Sequence, residues 1–109
     1  MIEKKVTING CEFDVTFNMA VEIEYEDMSG QPFDVASMNT QKATMQLCYA
    51  SLKEANDKLP FSFDELKNTI NIEEWIALKD AVIGAMTEWF HIPAVMQEDA
   101  NSEGESEKN

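Results

Sequence analysis

Apolar and polar residues alternate with period two through residues 3–17, on both sides of Asn9-Gly10. An Asn-Gly pair is the preferred centre of a two-residue type I′ hairpin turn. Such a turn pairs Ile8 with Cys11, Val6 with Phe13, Lys4 with Val15 and Lys5 with Asp14. That register collects Ile2, Val6, Ile8, Cys11, Phe13, Val15 and Phe17 on one face, interrupted by Lys4. Glu3, Lys5, Thr7, Glu12, Asp14 and Thr16 fall on the other. A lone hairpin is marginal in water, so its apolar face requires a helical cover or another chain.

Residues 18–29 carry two patterns at once. Val21, Ile23 and Tyr25 alternate with glutamates, which is a strand pattern. Phe17, Val21, Tyr25 and Met28 fall at helical spacing. Asn18 suits a helix N-cap and Gly30 a helix C′ position. Glu and Met also favour helix, so a helix is predicted here. Gln31-Pro32-Phe33 is a connector, and residues 34–38 are expected to form one turn.

Thr40 can cap a helix reaching about Asn56, with a stripe of Met45, Cys48, Tyr49, Leu52 and Ala55, widened by Ala43, Leu47 and Ala50. Two capping boxes follow, Ser62 with Glu65 and Asn71 with Glu74. The first opens a short helix carrying Phe63, Leu66 and Ile70, and the second a long one over residues 72–91.

At about 100° per residue, the apolar residues of this last helix span roughly 180°, against the ~100° one core contact needs. Two stripes emerge: Trp75, Leu78, Val82, Ala85 and Trp89, then Ile72, Ile76, Ile83, Met86 and Phe90 with Lys79 between. Either the helix is central, between two neighbours, or one stripe faces a partner chain. Candidate partner-binding residues are Trp75, Val82, Met86, Trp89 and Phe90. His91 reads as a helix-terminus residue and Pro93 as the stop.

These elements predict an α+β fold, mostly α: one N-terminal β-hairpin, about four helices, and a single domain over residues 1–96. From Gln97 onward no large apolar residue occurs, and five acids stand against one lysine. Residues 97–109 are therefore expected to be a disordered acidic tail.

Charge narrows the chemistry. The chain has 8 basic residues, all lysine, against 21 acids, a net charge of −13. Phosphate neutralisation drives duplex-DNA binding, so nucleic acid is not an expected partner. Without arginine there is no bidentate clamp for phosphate or carboxylate. No signal peptide is expected, and no stretch reaches the ~20 apolar residues of a membrane span. Cys11 and Cys48 have no metal-ligand spacing and read as buried free thiols in a reducing cytoplasm. With one histidine and no Gly-rich loop, no catalytic residue, cofactor site or metal site is predicted. Glu22, Glu24, Glu26 and Asp27 crowd one segment, either as a solvated face or as an acidic docking face for a basic partner.

The order of these elements resembles the tail assembly chaperones of long-tailed, siphovirus-type bacteriophages and prophages. The resemblance rests on Val6-Thr7-Ile8-Asn9-Gly10 with Phe13-Asp14-Val15, then Tyr25-Glu26-Asp27-Met28-Ser29-Gly30-Gln31-Pro32-Phe33. Leu47-Cys48-Tyr49-Ala50-Ser51-Leu52, Phe61-Ser62-Phe63-Asp64-Glu65-Leu66 and Trp75-Ile76-Ala77-Leu78 continue it. It spans most of residues 3–92. It implies a non-enzymatic chaperone in the cytoplasm of the bacterial host. Such a protein coats the helical tape measure protein, helps recruit the tail tube protein and forms homo-oligomers. In that family a longer form often arises by programmed frameshifting, and such an extension would begin near Gln97.

Two rival readings follow from the acids. A DNA-mimic or anti-host inhibitor would set carboxylates in a row for a basic groove. A metal-assisted hydrolase would bind Mg²⁺ or Mn²⁺ through clustered carboxylates.

Overall fold

The computed structural model describes residues 3–90. The expectations for Ile2, His91, Pro93 and the tail 97–109 lie outside these residues. The architecture is α+β and mostly α, an antiparallel hairpin followed by four α-helices. Strands β1 (Glu3–Ile8) and β2 (Cys11–Thr16) pair in the predicted register, from Glu3 opposite Thr16 to Ile8 opposite Cys11. Asn9 (φ 53°) and Gly10 (φ 81°) both adopt the positive φ that a type I′ turn demands.

Local chemistry sets each helix boundary. Asn18 accepts from the Val21 N–H to open α1 (Met19–Ser29), and Gly30 closes it at φ 70°. A 3₁₀ turn over Val35–Ser37 follows, capped by Asp34. Thr40 caps α2 (Gln41–Ala55) through the Ala43 N–H. Both capping boxes form, Ser62/Glu65 on α3 (Phe63–Thr69) and Asn71/Glu74 on α4 (Ile72–Trp89).

Helices α2 and α4 cover one face of the hairpin, α2 against β2 and α4 against β1, while α1 and α3 pack on α2. The core forms where Val6, Ile8, Val15 and Phe17 meet Val21, Leu47, Leu52, Leu66, Leu78 and Val82. Two contacts align α4 with β1. Glu74 of the capping box also accepts from the Asn9 N–H at 2.8 Å. At the other end Lys4, the one polar residue on the apolar face, lays its stem beside Gly84 and reaches Glu88 at 3.3 Å.

The outer edge of β2 is closed by side chains rather than by a third strand. Ser51 accepts from the Thr16 N–H at 2.9 Å and donates to the Thr16 carbonyl at 2.6 Å. Asn56 accepts from the Asp14 N–H at 3.2 Å and donates to the Asp14 carbonyl at 2.9 Å. Asn56 also donates to the Leu52 carbonyl at the end of α2. The spacing allows it: two strand residues advance ~6.8 Å and five helical residues ~7.5 Å.

Three sequence expectations are corrected. The buried side of α2 includes Thr44 and Ser51, and Met45 and Tyr49 are half-buried at its margin. Thr16, assigned to the polar face, is buried because its backbone turns toward Ser51. Cys11 is exposed beside the turn, whereas Cys48 is buried. Burial drives the Cys48 thiol far above its ordinary range, opposed weakly by the charge of Lys79.

Two outcomes test this arrangement. In native protein Cys11 is expected to react with a thiol reagent while Cys48 reacts only on unfolding, as a timed colorimetric titration will show. Ser51→Ala orphans two buried backbone groups and is expected to cost about 2–4 kcal/mol in urea unfolding. Asp57→Ala, on the exposed loop, is expected to stay within about 0.5 kcal/mol of the parent.

Candidate interaction surface

Helix α4 divides its apolar arc between inside and outside. Trp75, Leu78, Val82, Ala85 and Met86 are buried. Ile72, Ile76 and Phe90 are exposed. Of the five residues predicted to bind a partner, Val82 and Met86 are therefore corrected to core. Trp75 is also buried, with its indole N–H donating to Gln41 Oε1 at 3.2 Å and one edge lining a surface groove. Met86 departs from its stripe because on the helical wheel it lies within about 20° of the buried Trp75, at the margin of the inward arc.

Trp89 and Phe90 stay at the surface. Trp89 is half-buried and donates its indole N–H to Glu22 Oε2 at 3.2 Å. Phe90 is 40% exposed. It stacks on Phe33 with centroids 6.2 Å apart and 8° between planes, and tilts against Phe17 at 5.9 Å. Tyr25 completes this aromatic cluster, edge-on to Phe33.

Helical spacing spreads Glu22, Glu24, Glu26 and Asp27 around α1, and three of them have internal work. Glu22 holds Trp89. Glu24 pairs with Lys53 at 3.0 Å. Glu26 accepts from the Phe33 N–H at 2.7 Å. Asp27 is exposed. The bond and charge of Glu24 hold the Lys53 ammonium protonated to higher pH than usual, so this pair persists until strongly basic solution.

Sequence reasoning missed Met19 and Ile23, which are 54% and 52% exposed. They sit one turn apart on the side of α1 that also carries Glu22 and Glu26. Of the residues on that side, Glu22 reaches Trp89. The available signal was the strand-like alternation: Ile23 fits a period of two, but in a helix it faces away from Val21 and Tyr25.

A second apolar region lies at the start of α4. Met45, Phe63, Ile70 and Trp75 form the floor of an open groove of about 690 Å³, with Lys42 and Lys67 on its rim. Ile72, 67% exposed, continues it onto the outer side of α4.

Among the described residues no group of three His, Cys, Asp or Glu side chains could hold a metal ion. None of the described helices is long and apolar enough to cross a membrane.

The division of α4 has an energetic consequence. Val82→Ala is expected to destabilise by about 2–3 kcal/mol, the cost of a filled core site. Phe90→Ala is expected to cost about 1 kcal/mol, since it loses ring contacts but little burial. Thermal and urea melts of the two variants will show the order. Comparisons against protein-family models, curated proteins and solved structures returned no match to this chain.

Proposed function

We propose that this chain is a non-enzymatic tail assembly chaperone of a long-tailed bacteriophage or prophage, acting in the cytoplasm of the bacterial host. It holds the tape measure protein in solution, helps recruit tail tube subunits and self-associates. The observation that carries this reading is the set of exposed large apolar side chains, Met19, Ile23, Ile72, Ile76 and Phe90, on a chain of net charge −13. An amphipathic helix needs an apolar surface on which to bury its own stripe. Methionine and aromatic side chains adapt to a changing sequence along such a helix. The surrounding negative charge keeps the open surface from aggregating. The resemblance in element order, from the hairpin to the long last helix, supports the same reading.

The acidic-inhibitor alternative draws less support. It needs carboxylates free in a row, and Glu22, Glu24 and Glu26 accept bonds within the domain.

Co-expression with a long helical tape measure fragment tests the proposal. The fragment is expected to move into the soluble fraction with the chain and to co-elute with it. Met19→Ser combined with Ile23→Ser is expected to cut the rescued fraction by about tenfold, with melting nearly unchanged because both side chains are exposed. A fragment that precipitates equally with and without the chain would overturn the reading.

A further inference from the structure

The groove at the start of α4 is unlike the rest of the surface. Its floor of Met45, Phe63, Ile70 and Trp75 is apolar. Its surroundings are basic in a chain with only 8 lysines. Lys42 and Lys67 line it, and Lys79 sits 5.8 Å from the Trp75 ring. Among the described residues Lys42 and Lys79 have no carboxylate within ion-pair distance. Lys67 is paired with the exposed Asp64, one helical turn away, so it can be shared. The ligand chemistry is thus an apolar segment followed by acids.

The chain carries such a segment beyond the described residues. Ile92, Val95 and Met96 are followed by Glu98 and Asp99. Reach decides whose segment can dock. From Trp89 back along α4 is ~21 Å to Trp75, at the near side of the groove, and ~26 Å to Ile72. Fully extended, Ile92 lies at most ~11 Å from Trp89, Val95 ~22 Å and Met96 ~25 Å. Within one chain Ile92 therefore falls short of the groove, and Val95 and Met96 reach no further than its near side, so the three cannot fill the floor together. Those of a neighbouring copy meet no such limit.

We propose that the groove between α2, α3 and α4 docks residues 92–99 of a second copy of this chain. Ile92, Val95 and Met96 fill the apolar floor, and Glu98 and Asp99 meet Lys42, Lys67 and Lys79. The contact is heterologous, groove to tail, so each docked copy still offers a free groove or a free tail. Such contacts close as a twofold dimer when the two copies exchange tails, and otherwise build rings or open chains. The inference gives a structural basis to the self-association proposed above. It does not rest on tape measure capture, and its test contains no tape measure.

Light scattering on full-length protein over a range of concentrations supplies the test. The parent chain is expected to rise in mass with concentration. Lys42→Glu with Lys67→Glu alters the groove rim, and Val95→Ser with Met96→Ser alters the tail. Lys42 and Lys67 are exposed and Val95 and Met96 lie outside the described residues, so melting temperatures serve as a folding control. Each double variant alone is expected to associate about tenfold more weakly than the parent. Mixed together, one retains an intact groove and the other an intact tail, so they are expected to form a one-to-one complex that grows no further. Adding Glu98→Lys and Asp99→Lys to the groove variant is expected to restore association by reversing both charges. A parent that stays monomeric at every concentration overturns the proposal, even if its acids reach their own lysines. So does a tail variant that associates as the parent does, which would place the interface elsewhere.

Discussion

Two strands present two edges and two faces, and in water they hold together only if enough of these are covered. In this domain α2 and α4 take one face, and α2 also closes an edge. Ser51 and Asn56 supply the donors and acceptors that a third strand would have offered to Asp14 and Thr16. The remaining geometry follows from this attachment. It fixes α2 along β2, and thereby sets which side of α2 receives α1 and α3. The Glu74–Asn9 and Lys4–Glu88 contacts then hold α4 along β1. Val6, Ile8 and Val15 are sealed between the two helices as a result.

Once α4 is pinned in this way, its apolar arc is too wide for the cover available. One side closes over the hairpin and α2. The other is left at the surface near both helix ends. At the C-terminal end Trp89 and Phe90 are steadied by Glu22 and Phe33. At the N-terminal end the groove over Trp75 is bordered by lysines. Opposite ends of one helix thus offer surfaces of different character, one flanked by carboxylates and one by ammonium groups.

The acids serve two purposes that composition merges. Glu22, Glu24, Glu26 and Glu74 are structural acceptors: they hold an indole, a lysine, a connector N–H and the hairpin turn. Others, such as Asp27, Glu73 and Asp80, are exposed and contribute mainly to the field around the molecule. A count of −13 describes that field but does not identify which carboxylates remain free to meet a partner.

What was legible in the sequence was decided within about four residues of each position. The turn at Asn9-Gly10, the caps at Asn18, Thr40, Ser62 and Asn71, and the stop at Gly30 each follow from local hydrogen bonds or backbone sterics. The strand register followed from the turn alone. Rotation of each helix about its own axis was not legible, because it depends on what packs opposite. Ser51 turns inward because β2 has an unmet edge there, and Met86 is drawn into the core while Phe90, four residues on, stays at the surface. Cys11 shares the apolar strand face with Val6 and Ile8 but lies beside the turn, where no helix covers it. Sequence by itself determined the elements, their ends and their pairing, since these are short-range. The tertiary structure alone decided which apolar residues became core and which stayed open, because burial belongs to a pair of surfaces and not to one segment.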